Sequence, residues 1–172
     1  MKNLLSLNPE RRAGEIISQI LYITIATVSS EGKPWNSPLY SAYDELGNFY
    51  WTSSPEAQHS RNIEANGEAF LVIYDSTVPE GTGEGVYIEA IAGVLDDLDE
   101  IAEARRHSGL RRGKYDPQER PEQYLPGGVC RVYRARPKRA WMNDDVIDEN
   151  GCFVKDIRVE IPLTSLTGLV YW

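Results

Sequence analysis

Short runs of β-branched and aromatic residues, each closed by a cluster of glycine, proline, asparagine or aspartate, constrain this chain's fold more than any other feature. YITIATVSS (22–30) alternates and ends at the turn EGKP; WNSPLYSAYDE (35–45) ends at ELGN; FYWTS (49–53) follows. Such runs read as strands because branched and aromatic side chains pack well on a pleated, half-buried surface. AFLVIYDS (69–76), VYIEAIAGVLDD (86–97), CRVYRARPKRAWMNDD (130–145) and CFVKDIRVEIPL (152–163) continue the series, the last two flanking an Asp-Glu-Asn-Gly turn signal. The strand–helix–strand alternation that a parallel sheet requires is missing. The first three strands make an antiparallel meander. Pro38 marks an edge, a bulge or an interruption in the second, since proline cannot donate to a ladder. The expected fold is mainly β with peripheral helices: an antiparallel barrel of six to seven strands.

Helices fill some of the intervals. Asn8-Pro9-Glu10 reads as an N-cap, a first-turn proline and a dipole-favoured acid, opening a helix to about Ile20. Asp97 opens an acidic amphipathic helix through LDEIAEARRHSGL, and one helical turn is expected around Pro121–Tyr124. TVPEGTGEG reads as a flexible glycine-rich loop. At 172 residues, the chain is expected to be a single domain spanning 1–172, with a core that needs no metal or disulfide.

Charge and motif content narrow the function classes. A net charge of −8 argues against nucleic-acid or anionic-membrane partners, so an anionic ligand must be held by local donors. No apolar run approaches the ~18 residues of a membrane span. MKNLLSLNPERR has too short an apolar stretch for a secretory signal, so a cytoplasmic location is expected. Cys130 and Cys152 form no CxxC pair and have two histidines for company, so no metal is expected; two reduced thiols are expected, with a disulfide between them the alternative. Hydrolysis finds no serine–histidine–carboxylate or paired-carboxylate constellation.

The stretch YWTSSPEAQHSRNI (50–63) carries the chemistry. In one frame, Ser54-Pro55-Glu56 starts a helix that Gly67 stops, which leaves Ser60 and Arg61 without a role. In the other, a turn occupies 54–57 and the helix begins nearer Gln58. First-turn amides, the Ser60 hydroxyl and the Arg61 guanidinium then converge on a phosphate.

The order of segments resembles the pyridoxamine 5′-phosphate oxidase-like family of FMN-binding split barrels, over roughly residues 15–163: a helix, a strand, the GKP turn, a strand with Asn-Ser-Pro-Leu, a strand ending Trp-Thr-Ser, then His-Ser-Arg-Asn-Ile. The resemblance implies a split β-barrel and FMN as cofactor, with Asn36, Ser37, Pro38 and Leu39 along the flavin ring and Trp51-Thr52 at the end of strand three. It implies phosphate binding by His59, Ser60 and Arg61, aided by Thr52 or Ser53, although arginine stands where the family usually has lysine and histidine where it often has serine. The connection 53–58 is also two residues longer than usual. RVYRARPKRAWMND matches a second family pattern, which implies that Trp141, Asn143 and Arg158 reach the flavin across a homodimer interface. The implied function is that of an FMN-dependent oxidoreductase acting on a small molecule. The alternatives are a deazaflavin-dependent reductase, a non-enzymatic flavin-binding or haem-related protein, and an interaction module without cofactor. Pyridoxamine phosphate oxidation itself is disfavoured, because VKDIRVEIPL replaces the family's Arg-Leu-His-like substrate motif.

Blander roles compete at several positions. Trp51 and Trp141 suit a core or an interface, Tyr40, Tyr43 and Tyr87 suit packing, with one of them able to flank the ring, and Trp172 suggests nothing. RRHSGLRRGK (105–114) suits a helix C-terminus, where cations oppose the dipole. Its sharper alternative has Arg105, Arg106, Arg111 or Arg112 neutralising an anionic substrate.

Overall fold

A strand that changes partners halfway along its length organises the molecule. In the computed structural model, which describes residues 8–167, segment 34–43 is extended but divided. Its first part, β2 (Pro34–Tyr40), pairs antiparallel with β1 (Tyr22–Val28), while its second, β3 (Ala42–Tyr43), pairs with β4 (Phe49–Ser53). Between them Ser41, buried, donates its backbone N–H to the Leu21 carbonyl at 3.1 Å. The remaining strands are β5 (Glu68–Tyr74), β6 (Gly85–Val94), β7 (Arg131–Ile147) and β8 (Phe153–Ile161). They give the order β2-β1-β5-β6-β7-β4-β3, with β8 on the free part of β7. This is a mainly antiparallel, curled, unclosed sheet of split-barrel type. It has eight strands where six to seven were expected, because the break at Ser41 makes two strands of one extended segment.

The inner face follows from period-two alternation. In β6, Val86, Ile88, Ala90 and Ala92 are buried and meet Leu71 and Ile73 of β5, Ile23 and Ile25 of β1, and Ala140 and Met142 of β7. Each buried isoleucine or leucine contributes about 1.5–3 kcal/mol. Helix α1 (Pro9–Gln19) closes one end with Ala13, Ile16 and Ile17. Asn8 caps it as expected, its Oδ1 accepting from Arg11 N at 3.0 Å. The orphan carbonyls at the other end of α1 are met from afar: Arg111 Nη2 donates to Ile17 O at 2.9 Å and Ile20 O at 2.6 Å.

Helix α2 (Gln58–Asn66) begins where the second sequence frame puts it. Residues 54–57 form a turn, with Ala57 N donating to Ser54 O at 3.1 Å. Gly67 stops α2 at φ 73, a left-handed conformation that a Cβ would strain. Helix α3 (Leu98–Arg111) is capped by Asp97, whose carboxylate accepts from the Asp99 and Glu100 amides. One 3₁₀ turn spans Pro121–Tyr124 and another Leu163–Leu166. Among the described residues no helix is long and apolar enough to cross a membrane. Both cysteines are free thiols. Trp172 and Met1–Leu7 lie outside the described residues.

Candidate functional site

The partner exchange at Ser41 opens a wedge. Beyond the exchange, β2 keeps β1 on one edge and, among the described residues, has no strand on the other. Strand β4 keeps β7 along its whole length, but β3 covers it only at Phe49 and Tyr50. The edges of 34–40 and 51–53 therefore face each other without a backbone ladder between them. Free strand edges carry rows of unspent N–H and C=O groups, so a wedge of this kind suits a ligand with a polar edge.

Side chains cross the wedge where the ladder does not. Ser37 and Leu39 pair in register with Ile25 and Ile23 and face inward, whereas Asn36 and Pro38 are exposed on the outer side. His59, buried in the first turn of α2, spans the gap: Nδ1 lies 3.2 Å from Ser37 Oγ on β2, and Nε2 lies 2.9 Å from Ser53 Oγ on β4. Trp35 Nε1 donates to the same Ser37 Oγ at 3.1 Å. Burial holds the His59 imidazole below its ordinary pKa, so it is neutral at pH 7. The α2 N-cap, Ala57, supplies no side-chain hydrogen bond, so the first-turn amides are uncapped beside this clasp. Outside it, Ser29, Lys33, Trp35, Gln58 and Asn62 line a polar hollow of about 390 Å³.

A second hollow, of about 320 Å³, sits at the apex between β2, β4 and α3. Tyr22, Tyr40, Trp51, Thr52, Arg105, Ser108 and Arg112 line it. Trp51 is 1% exposed and stacks on Tyr133, with ring centroids 5.7 Å apart. Its indole N–H and the Tyr40 hydroxyl are buried with no hydrogen-bond partner among the described residues. Burial raises the Tyr40 pKa against the opposing fields of Arg111 and Arg112, so the hydroxyl keeps its proton as a donor. Arg105 reaches Thr52 Oγ1 at 3.0 Å and forks onto Glu119, stacking on the Tyr124 ring.

The anticipated residues divide into groups. Ser37, Leu39, Trp51, Thr52, Ser53 and His59 come together around the wedge. Ser60 is buried behind it, its hydroxyl donating to Ser54 O at 2.8 Å. Arg61 turns to the outer side of α2, 56% exposed and ion-paired with Glu56. Ser60 and Arg61 thus do not meet at one point. Trp141, Asn143 and Arg158 sit elsewhere. Val132 pairs with Thr52, and Trp141 lies nine residues further along β7, where it pairs with Tyr87 of β6 and stacks on Phe70 of β5. There Arg139 covers Trp141, Arg158 covers Tyr87 at 4.1 Å, and Asn143 ties down Gly83 and Gly85. The basic island disperses. Arg106 joins Glu103, Arg111 holds α1 and lies over Tyr43, and His107 stacks on Tyr50 with Nε2 3.1 Å from Glu103. Of Tyr40, Tyr43 and Tyr87, read as packing residues of which one could flank the ring, Tyr40 lines the apex hollow. Its position at the end of the strand that switches partners is what brings it to the apex.

The fold and the wedge define an antiparallel split barrel with a cleft at its split. Residues 10–142 match the profile of the pyridoxamine 5′-phosphate oxidase family, and the chain belongs to that family. No curated protein matches the sequence. Among solved structures it is similar to a candidate 5-nitroimidazole antibiotic resistance protein of Bacteroides thetaiotaomicron, at 14% identity and TM-score 0.65, covering 79% of this chain and 84% of that one. A haem-binding protein of Mycobacterium smegmatis is similar at 19% identity and TM-score 0.66, covering 92% of this chain, which spans 60% of that longer one. An F420 reductase is similar at 21% identity and TM-score 0.51, covering 73% of this chain and 93% of that one. At these identities the likeness is one of fold.

Proposed function

We propose that this chain is one FMN-binding domain, an FMN-dependent oxidoreductase of the cytoplasm that acts on a small molecule as a homodimer. One observation carries the reading: the wedge between β2 and β4 holds buried donors and strand edges that the protein itself leaves unspent, beside the Ser37–His59–Ser53 clasp. A buried donor without a partner costs about 1–3 kcal/mol, a cost that a ligand accepting its hydrogen bond offsets. The donor set fits a flavin mononucleotide, which brings a polar ring edge for the free strand edges and a phosphate for the hydroxyls and uncapped amides of α2.

When bound, the flavin supplies hydride or electron-pair transfer at N5. The chain's own residues bind and orient. Ser37, Ser53 and His59 hold the phosphate end, and the β2 edge from Asn36 to Leu39 presents backbone groups to the ring. Trp51 and Thr52 close the floor. Trp141 and Asn143 on β7 and Arg158 on β8, none of which joins the Ser37–His59–Ser53 clasp of their own subunit, meet the flavin from a second copy. A haem reading is less well served, since both ring nitrogens of His59 are engaged by serines.

The absorption spectrum of freshly purified protein, followed by titration with FMN, tests the reading. A band near ~450 nm that persists through desalting is expected for an oxidised flavin. Mass identification of the ligand released by heat distinguishes FMN from a deazaflavin or a haem. A colourless protein that takes up no FMN even in excess would sink the proposal.

A further inference from the structure

The wedge must bind a dianion with little fixed positive charge. The chain carries a net charge of −8, and Arg61, the cation nearest in sequence, is paired with Glu56 on the outer side of α2. At the apex hollow Arg105 is paired with Glu119 and Arg112 Nε donates to the Ser108 carbonyl at 3.1 Å, while the titratable groups on the elements around α2 are paired, exposed or uncharged. Lys33, on the β1–β2 turn, is paired with Glu31 at 2.7 Å; Arg131, on β7, with Asp96; Glu64 is exposed on α2; and burial raises the Tyr133 pKa. Among the described residues, the one cationisable side chain buried between the two edges is His59, and it reaches both serines.

Counting protons shows what its charge state does. A neutral imidazole has one N–H and one lone pair, so one serine must spend its only proton on the ring and a single hydroxyl proton is left for a ligand. An imidazolium donates from both nitrogens. Both serines then accept from the ring, and both hydroxyl protons are free to point at an anion. Trp35 Nε1, already donating to Ser37 Oγ, leaves that count unchanged.

We propose that His59 takes up a proton when a phosphate monoester binds, converting the Ser37–His59–Ser53 clasp into a clamp with two hydroxyl donors and coupling ligand affinity to pH. The inference rests on the flavin mononucleotide reading and adds its regulation. His59 acts here as a positioning residue, through the two hydroxyls. In the free protein, burial keeps the ring neutral. A bound dianion reverses the balance by stabilising the imidazolium, so the ring's pKa rises on binding. The sign follows: affinity is gained as pH falls from above the bound-state pKa toward the free-state pKa, by at most tenfold per pH unit. The ligand's own phosphate, with a second pKa near 6, would shed protons on being held as a dianion, the opposite direction.

Titration calorimetry near pH 7, in buffers of different ionisation enthalpy, counts the protons. Wild-type protein is expected to take up as much as one proton per FMN and none per riboflavin, with FMN affinity weakening between pH 6 and 8 by at least tenfold more than riboflavin affinity. His59→Gln and His59→Lys, checked for native circular dichroism, should lose the uptake, and His59→Lys should keep FMN affinity flat across the range. FMN binding without wild-type proton uptake, or with equal uptake for riboflavin, overturns this inference and leaves the flavin reading standing. The comparison of FMN with riboflavin decides this even if neither variant folds. No FMN binding at any pH overturns both.

Discussion

Two walls of the same barrel are built on opposite terms. In the β5–β6–β7 wall, β5 and β6 are paired along both edges, and alternate side chains such as Leu71, Ile88 and Ala140 are fully buried. In the β2–β4 wall, β2 is exposed at most positions, and the gap to β4 is crossed by one histidine and two serines. The first wall satisfies its backbone by itself and makes stability. The second leaves donors unspent, and that is where a ligand can add free energy. Elements that bind ligands are commonly drawn from the less self-sufficient part of a structure.

Substitutions can break this contrast, and the largest effect is expected in the paired wall. Ile88→Ala, at a site 0% exposed, should destabilise by about 2–5 kcal/mol through lost transfer energy and a cavity. Urea denaturation reads this, and a loss below about 1 kcal/mol would show that the paired wall is not the seat of stability. Ser37→Ala should cost stability no more than about 1 kcal/mol while weakening FMN binding by about 1.5–3 kcal/mol, the scale of a charged hydrogen bond. A fluorescence titration separates the two, and equal FMN affinity with and without the Ser37 hydroxyl would remove the clasp from the site. The smallest effect is expected at Arg61. An exposed ion pair is worth about 0–1 kcal/mol, so Arg61→Ala should leave unfolding and FMN affinity nearly unchanged. A tenfold loss of affinity would move the phosphate to the outer side of α2.

Much of the fold is legible locally. FYWTS occupies 49–53 as read, Asn8 and Asp97 cap their helices, and the Asp148–Gly151 turn joins β7 to β8. Each is set by neighbours a few residues away. The division of 34–43 is not legible, because both halves have strand-forming composition and the exchange depends on which strand lies beside each half. The site divides in the same way. The hydroxyls and histidine after β4 announce polar chemistry, but their sequence cannot say that Arg61 finds Glu56 while His59 finds two serines. Nor can RRHSGLRRGK reveal that Arg105 serves Glu119 and Thr52, and Arg111 the end of α1.

The sequence alone determines an antiparallel barrel with capped helices and a polar turn after its third extended run, because alternation, caps and turns are short-range properties. Tertiary structure decides where the barrel splits, which donors face the gap and which cations are already occupied. Those outcomes depend on pairings between residues dozens of positions apart, such as Ser37 with His59, or Thr52 with Arg105. Local propensity carries no information about them.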